Sequence, residues 1–370
     1  MRFAIALLVF LLGLGNVYSQ EGGWLLESEF HAGRMINHTR KLTFEPPART
    51  IGLGLNFVYQ TYGTKYWHKM QRFPALGLAL IHDDLGDRNL LGSATSILPN
   101  VSIRLFNVGN LSSHLNFGTG VAYLSEPFDL IQNPKNNAIG SNWNNITRFR
   151  LEFFYPLTSK LAVSAAGQLN HYSNGSVQLP NYGMNLPSAS LGLRWNPNPR
   201  QRKLDFDSIS SKPFRRFGLT MNAGMAFTEA LAPGGPKYPI YQGQVGIVYR
   251  LSKVNQLMLG MEYEYVSSSF YFSLASTEAR TDQEAQKLAT RYMFFVGDEF
   301  FFWPFSIALL AGGYFGGKPY QAGDSIYTKL SSRYYFTPFG KPKTRMYCAV
   351  HLKAHKATAE YISFGFGALL

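Results

Sequence analysis

Along most of the chain, large apolar residues alternate with small or polar residues at every second position. Between Leu115 and Tyr123 the odd positions carry Leu, Phe, Thr, Val and Tyr, whereas the even positions carry Asn, Gly and Ala. The same period recurs at 217–227, 259–265 and 362–368. Because successive side chains of a strand point to opposite faces, the pattern predicts long β-strands with one apolar, aromatic-rich face. Helical periodicity is rare, so we predict an all-β fold.

The N-terminal residues have the features of an export signal. Arg2 supplies a positive charge, residues 5–12 form a short apolar run, and Val-Tyr-Ser at 17–19 resembles a signal-peptidase site, so residues 1–19 are predicted to be a signal peptide. This run is shorter than the roughly 20 residues of a spanning helix, and no later stretch reaches that length. The single cysteine, Cys348, excludes a disulfide framework.

An exported chain of alternating strands could form a secreted sandwich or a membrane barrel. The strands are long, aromatic residues make up 15% of the chain, and charged residues only 15%, against about 25% in typical soluble domains. These features favour a transmembrane antiparallel β-barrel in the outer membrane of a Gram-negative bacterium. The net charge of +13 is compatible with anionic lipid head groups, and equally with basic residues in a solvated lumen. We expect no nucleic-acid partner.

Sixteen alternating segments are recognisable, and because neighbouring segments can fuse, we predict about 14 strands, with 12–16 allowed. Residues 20–196 supply the first strands, and residues 215–370 are expected to add further strands to the same barrel. The polar linker 197–214 does not fit this scheme, because it is long and yet should lie on the periplasmic side. Either the number of strands before the linker is miscounted, or the linker is an insertion or a boundary between two lobes.

One segment, Asn-His-Tyr-Ser-Asn-Gly at 170–175, carries a candidate site. On the strand over 159–173, the odd positions Leu161, Val163 and Leu169 form the lipid face, and His171 and Ser173 share it. A polar pair facing lipid is costly unless it serves a purpose, and a serine needs an adjacent base to become a nucleophile. The pair therefore suggests an esterase that acts on lipid; the alternative is a pair that only hydrogen-bonds head groups in the interface girdle.

A triad also needs a group that orients the imidazole. No Asp or Glu occurs between Glu152 and Asp205, and the parity of its strand points Glu152 into the lumen. Asn185 shares the parity of the lipid face of the next strand, although Pro187 makes that phase less certain. An amide can hold an imidazole tautomer, so Asn185 is the predicted third member.

The stretch 171–185, with His-x-Ser-Asn followed by Pro-Asn-x-Gly, resembles the lipid A 3-O-deacylase (PagL-type, acyloxyacyl hydrolase) family of outer-membrane barrels. A looser resemblance covers 24–196, and PagL-type barrels have eight strands. The resemblance implies that His171 is the general base and Ser173 the nucleophile that removes an ester-linked acyl chain from lipid A. The third residue of that family is a Glu, and Asn185 stands at its position here.

The same motif is similar to that of outer-membrane phospholipase A, which has a His-Ser-Asn triad, uses calcium and dimerises. We therefore expect no cofactor, with calcium only in the phospholipase alternative, and a homodimer is an open alternative to a monomer. The motif has no acidic cluster nearby that would argue for calcium. The expected substrate is lipopolysaccharide or a phospholipid of the outer leaflet. A rival class is a non-enzymatic barrel, namely a porin, a transporter or a secretion component.

If the chain is an esterase, the backbone N–H groups of Asn174, Gly175 and Ser176 are the candidate oxyanion donors. Late in the chain, His351, Lys353 and His355 share the luminal face of one strand. They could bind a metal or an anion, or pair with luminal acids such as Glu360.

Overall fold

The computed structural model describes residues 22–199, 215–230, 232–317, 325–336, 344–355 and 358–370. The predicted signal peptide and most of the polar linker lie outside these described residues. The described chain consists mainly of antiparallel strands, which confirms the all-β barrel class.

Eight strands form a first closed barrel: β1 (Gly22–Gly33), β2 (Thr50–Thr61), β3 (Ala75–Asp84), β4 (Ser93–Val108), β5 (Leu111–Leu124), β6 (Trp143–Pro156), β7 (Leu161–Ser173) and β8 (Met184–Trp195). A short helix, α1 (Tyr66–Met70), lies between β2 and β3. Each strand pairs with its sequence neighbour, and β8 closes the ring on β1 over Leu26–Gly33. Closure leaves no unpaired strand edge in this barrel.

Eight more strands form a second closed barrel: β9 (Phe217–Glu229), β10 (Lys237–Ser252), β11 (Asn255–Val266), β12 (Thr290–Phe302), β13 (Phe305–Gly316), β14 (Ile326–Phe336), β15 (Arg345–His355) and β16 (Thr358–Leu369). Two helices, α2 (Ser267–Ala275) and α3 (Asp282–Ala289), connect β11 to β12. Strand β16 pairs with β9 and closes this ring.

The expectation that residues 215–370 extend a single barrel of about 14 strands is therefore wrong. The described residues form sixteen strands, and β8 uses its free edge to bind β1, so no edge remains for β9. The linker 197–214 then connects two barrels, which agrees with the alternative of a boundary between two lobes.

Most connections at one end of the first barrel are long, whereas the other end has two short turns and the longer connection 62–74 that carries α1. In the first barrel, the connections 34–49, 125–142 and 174–183 leave one end, which we call the outer end, while β4 and β5 meet at the other end in the two-residue turn Gly109-Asn110. Gly109 has φ of +57°, a value that glycine adopts readily in such turns. Long outer loops and short inner turns are typical of bacterial outer-membrane barrels.

Ion pairs fill the lumens of both barrels. In the first barrel, Glu29 accepts from Arg148 at 3.0 Å and also pairs with Arg150. In the second barrel, the Lys353 ammonium lies 2.8 Å from Glu264, and Arg333 lies 3.0 Å from Glu299. Eight-stranded barrels are just wide enough for side chains to fill them, and these lumens are packed with paired charges.

The two barrels contact each other along one side. At their inner ends an apolar cluster joins Trp67 and Val101 of the first barrel to Val254 and Phe302 of the second. The Gln71 amide donates to the Val254 carbonyl at 3.3 Å. Near their outer ends the β7–β8 loop of the first barrel meets β9 and β16 of the second. Within the described ranges, no helix has the length and apolarity needed to cross a membrane.

The paired luminal charges predict a strong effect of removing one cation. Lys353→Met leaves the Glu264 carboxylate buried without its nearest cation, and breaking such a pair typically costs roughly 3–5 kcal/mol. We expect a lower urea midpoint for the second barrel, measured by heat-modifiable gel mobility after detergent refolding. The matched control is Lys287→Met on the exposed surface of α3. Equal midpoints for the two variants would contradict the luminal assignment.

Candidate active site

His171 and Ser173 lie on the outer wall of the first barrel, at the outer end of β7. Their neighbours Asn170 and Tyr172 are buried in the lumen, as the alternation of a strand requires. Tyr172 is fully buried and donates to Asp83, and Asp83 in turn contacts the His31 ring at 2.5 Å. This luminal network anchors the strand that presents His171 and Ser173 on the opposite face.

The His171 ring is held by Asn185, on the neighbouring strand β8. The two residues are direct register partners, and His171 Nδ1 lies 2.7 Å from Asn185 Oδ1. A carbonyl oxygen only accepts, so Nδ1 carries the proton in this pair, and the Nε2 lone pair is left to act as a base. The alternation of β8 continues through Pro187 to Asn185, so Asn185 lies on the outer face as predicted.

Ser173 is 3% exposed, and its hydroxyl is held by the loop that follows β7. The Asn181 Nδ2 group donates to Ser173 Oγ at 3.0 Å, and the Gly175 N–H donates to it at 3.2 Å. Among the described residues, no hydrogen bond joins Ser173 to His171. The structure thus brings His171 and Asn185 together and places Ser173 on the same face, with its hydroxyl bound to Asn181.

The three candidate oxyanion donors have different surroundings. The Asn174 N–H donates to Asn181 Oδ1 at 3.0 Å, whereas the Gly175 N–H points at the serine oxygen itself. Gly175 and Ser176 both have φ of +61°, so the loop turns sharply directly after Ser173. Of the three candidate donors, the Gly175 N–H is the one that contacts Ser173 Oγ.

Two family models match the chain, and together they span both barrels. Residues 51–194 match the family described as lipid A 3-O-deacylase (PagL), and residues 215–368 match the acyloxyacyl hydrolase, C-terminal domain (PagL_C). The chain belongs to the PagL family. It is an outer-membrane β-barrel protein with a lipid A deacylase-like role.

No match was found among curated proteins. Of the solved structures, Neisserial surface protein A (NspA) is 9% identical, with 47% of this chain and 97% of that chain covered and a TM-score of 0.32. The Pseudomonas aeruginosa protein OccK5 (OpdH) is 10% identical, with 95% and 98% covered and a TM-score of 0.22. Function is therefore inferred from the PagL-family match and the site, and not from these structures.

In this PagL-family chain, several polar residues near the site were missed by sequence reasoning. Thr147 and Asn145 on β6 are the register partners of His171 and Ser173, and they hydrogen-bond each other at 2.9 Å. His38, from the β1–β2 loop, contacts the Tyr182 carbonyl at 2.9 Å. These residues make a polar patch on the lipid-facing wall, and the parity of β6 was the signal that could have identified Asn145 and Thr147.

Asn181 was also missed as a site residue, although it lies within the Pro-Asn-x-Gly motif. Its amide bridges Ser173 Oγ and the Asn174 N–H, so it sets the position of the serine relative to the loop. Motif spacing alone does not reveal this contact, because it depends on how the loop folds back over β7.

The luminal trio of the second barrel has no link to this site. His351 contacts Ser331 Oγ at 2.7 Å, Lys353 binds Glu264, and His355 lies 2.9 Å from Glu360. Within the part of the chain that the structure describes, no group of His, Cys, Asp and Glu side chains is arranged to hold a metal ion. The predicted pairing with luminal acids is confirmed for Lys353 and His355, the latter with Glu360, whereas His351 contacts a serine.

The bridge made by Asn181 generates a prediction. We expect Asn181→Ala to slow lipid A deacylation by on the order of 10²-fold, because it removes a donor to Ser173 Oγ and frees the loop backbone. The measurement is a time course of lipid A conversion followed by mass spectrometry. Asn107→Ala, an exposed position on β4, is the matched control. A rate equal to that of the wild type would exclude a role for the amide.

Proposed function

We propose that this chain is a serine esterase that removes an ester-linked acyl chain from lipid A in the outer leaflet. The observation that supports this most is the 2.7 Å contact between His171 Nδ1 and Asn185 Oδ1, on the same lipid-facing wall as Ser173. The contact orients a neutral imidazole with Nε2 free, which is the arrangement a general base requires. The PagL-family match supports lipid A as the substrate.

In the proposed reaction, Ser173 Oγ–H turns away from Asn181 Oδ1, to which it donates at 3.4 Å, and gives its proton to His171 Nε2. The serine oxygen attacks the ester carbonyl carbon, and the tetrahedral intermediate collapses by breaking the carbon–oxygen bond to the sugar. The imidazolium returns its proton to the departing sugar alkoxide. His171 then removes a proton from water, and the water oxygen attacks the acyl carbon. Collapse breaks the bond between that carbon and Ser173 Oγ, which regains the proton from His171 as the fatty acid leaves.

The negative charge that develops on the ester oxygen needs fixed donors. The Gly175 N–H and the Asn181 Nδ2–H already converge on Ser173 Oγ, at 3.2 and 3.0 Å, so both are near the position where the carbonyl would bind. We assign them as the oxyanion donors. The Asn174 N–H is engaged by Asn181 Oδ1 and serves instead to position the amide.

The packed lumens argue against the rival class of porins and transporters. That class requires an open path along a barrel axis, whereas Arg148, Arg333 and Lys353 are almost completely buried in the two lumens and paired with carboxylates. His171, Asn185 and Ser173 lie instead on the outer wall, where the proposed substrate is a membrane lipid.

The direct test compares lipids from cells that express the wild type or Ser173→Ala. We expect lipid A that lacks one acyl chain only with the wild type, by mass spectrometry, since the nucleophile is the serine oxygen. Ser188→Ala, a luminal serine on β8, is the control and should behave as the wild type. Lysophospholipid in place of shortened lipid A would favour the phospholipase alternative, and unchanged lipids with folded protein would refute the esterase.

The role of Asn185 has its own test. Asn185→Leu removes the acceptor for Nδ1–H, and loss of the correct tautomer costs up to about 10⁴-fold in rate in a Ser-His-Asp enzyme. We expect a large fall in kcat with little change in KM. Asn185→Asp should retain activity, because a carboxylate accepts the same hydrogen bond. Equal kcat for Asn185→Leu and the wild type would remove Asn185 from the catalytic group.

A further inference from the structure

The loop that carries the candidate oxyanion donors is held by the second barrel. Glu229, the last residue of β9, donates its N–H to the Ser176 carbonyl at 2.9 Å. Its side-chain carboxylate accepts from the Leu179 N–H. Glu229 thus binds the loop at two points, one on each side of Val177.

The position of Glu229 is unusual for a carboxylate. It continues the face of β9 formed by Met221, Met225 and Phe227, all of which are exposed on the outer wall of the second barrel. Glu229 itself is 6% exposed, because the loop of the first barrel covers it. In the described part of the chain, no basic side chain forms an ion pair with it.

Burying a carboxylate without a cation costs free energy unless hydrogen bonds compensate. Here the described partner of the Glu229 carboxylate is the backbone N–H of Leu179, in the loop that follows Ser173. A hydrogen bond to a charged acceptor is stronger than one between neutral groups, so this contact fixes the loop firmly.

A second contact lies closer to the serine. A Cβ added to Gly175 would lie 2.6 Å from Ile362 Cγ1 and 2.8 Å from the Ile362 backbone nitrogen. Strand β16 of the second barrel therefore packs directly on the residue whose N–H points at Ser173 Oγ. The second barrel closes one side of the site and limits how far the loop can move.

We propose that the second barrel is part of the active site and that Glu229 is a positioning residue, which holds the 174–179 loop so that Gly175 and Asn181 face Ser173. This inference rests on the proposed esterase function. It implies that the two barrels are a single catalytic unit, in which the first supplies the reacting groups and the second supplies a fixed wall.

The test uses the purified full-length protein in lipid vesicles that contain lipopolysaccharide. We expect Glu229→Ala to lower kcat by on the order of 10²-fold with KM within about twofold, since small displacements of catalytic groups have effects of that size. Glu229→Gln keeps an acceptor for the Leu179 N–H and should recover most of kcat. Asp282→Ala, which removes an exposed carboxylate from the same end of the second barrel, is the control.

A second readout separates positioning from folding. The rate at which a fluorophosphonate modifies Ser173 should fall in Glu229→Ala in parallel with kcat, while the heat-modifiable gel mobility stays that of a folded barrel. If Glu229→Ala does not fold, Ile362→Ala tests the contact with Gly175, and a lower kcat in that variant supports the inference.

The outcomes separate the proposed esterase function from the role of the second barrel. A wild-type protein that is folded but converts no lipid A and is not labelled at Ser173 would overturn the proposed esterase. An active wild type with unchanged kcat and labelling rate in folded Glu229→Ala would overturn only the role of the second barrel. Unchanged kcat in Ile362→Ala would do the same where Glu229→Ala cannot be folded.

Discussion

The closure of each ring of strands is the constraint on which the rest of this structure depends. In a membrane, backbone N–H and C=O groups have no water to bind, so a sheet must pair every strand edge. The pairing of β8 with β1 and of β16 with β9 meets this requirement twice. Once the rings are closed, every strand has one face toward lipid and one toward a lumen filled with paired charges, and any polar group on the lipid face stands out.

Two sets of outward-facing polar groups lie beside each other. His171, Asn185 and Ser173 face outward on the first barrel, and Glu229 faces outward on the second. Each set forms hydrogen bonds with a neighbouring strand or loop, so neither set faces lipid without hydrogen-bond partners. Because the loop 174–179 contacts both sets, the free energy that holds the barrels together at this end also holds the serine in place.

Much of the fold could be predicted from the sequence, because alternation is a local property. The faces of β6 and β7, the luminal position of Glu152 and the shared lipid face of His171 and Asn185 all follow from parity along single strands. Barrel number could not be predicted in this way. Closure depends on which strand finds the free edge of β8, and β1 and β9 carry the same apolar pattern. The long linker 197–214 and the eight strands of PagL-type barrels were the clues to the boundary.

The parts of the site that were missed all depend on contacts between distant segments. Asn181 reaches Ser173 because the loop folds back over β7, and Glu229 reaches Leu179 because two closed barrels pack side by side. Neither contact can be recognised from the alternation of residues along a strand. The outward position of Glu229 can nevertheless be predicted from the sequence. The alternation of β9 places its carboxylate on the same lipid-facing wall as Met225 and Phe227. A charged residue on a lipid-facing wall indicates that another segment shields it from lipid. For Glu229 that segment is the loop of the candidate active site.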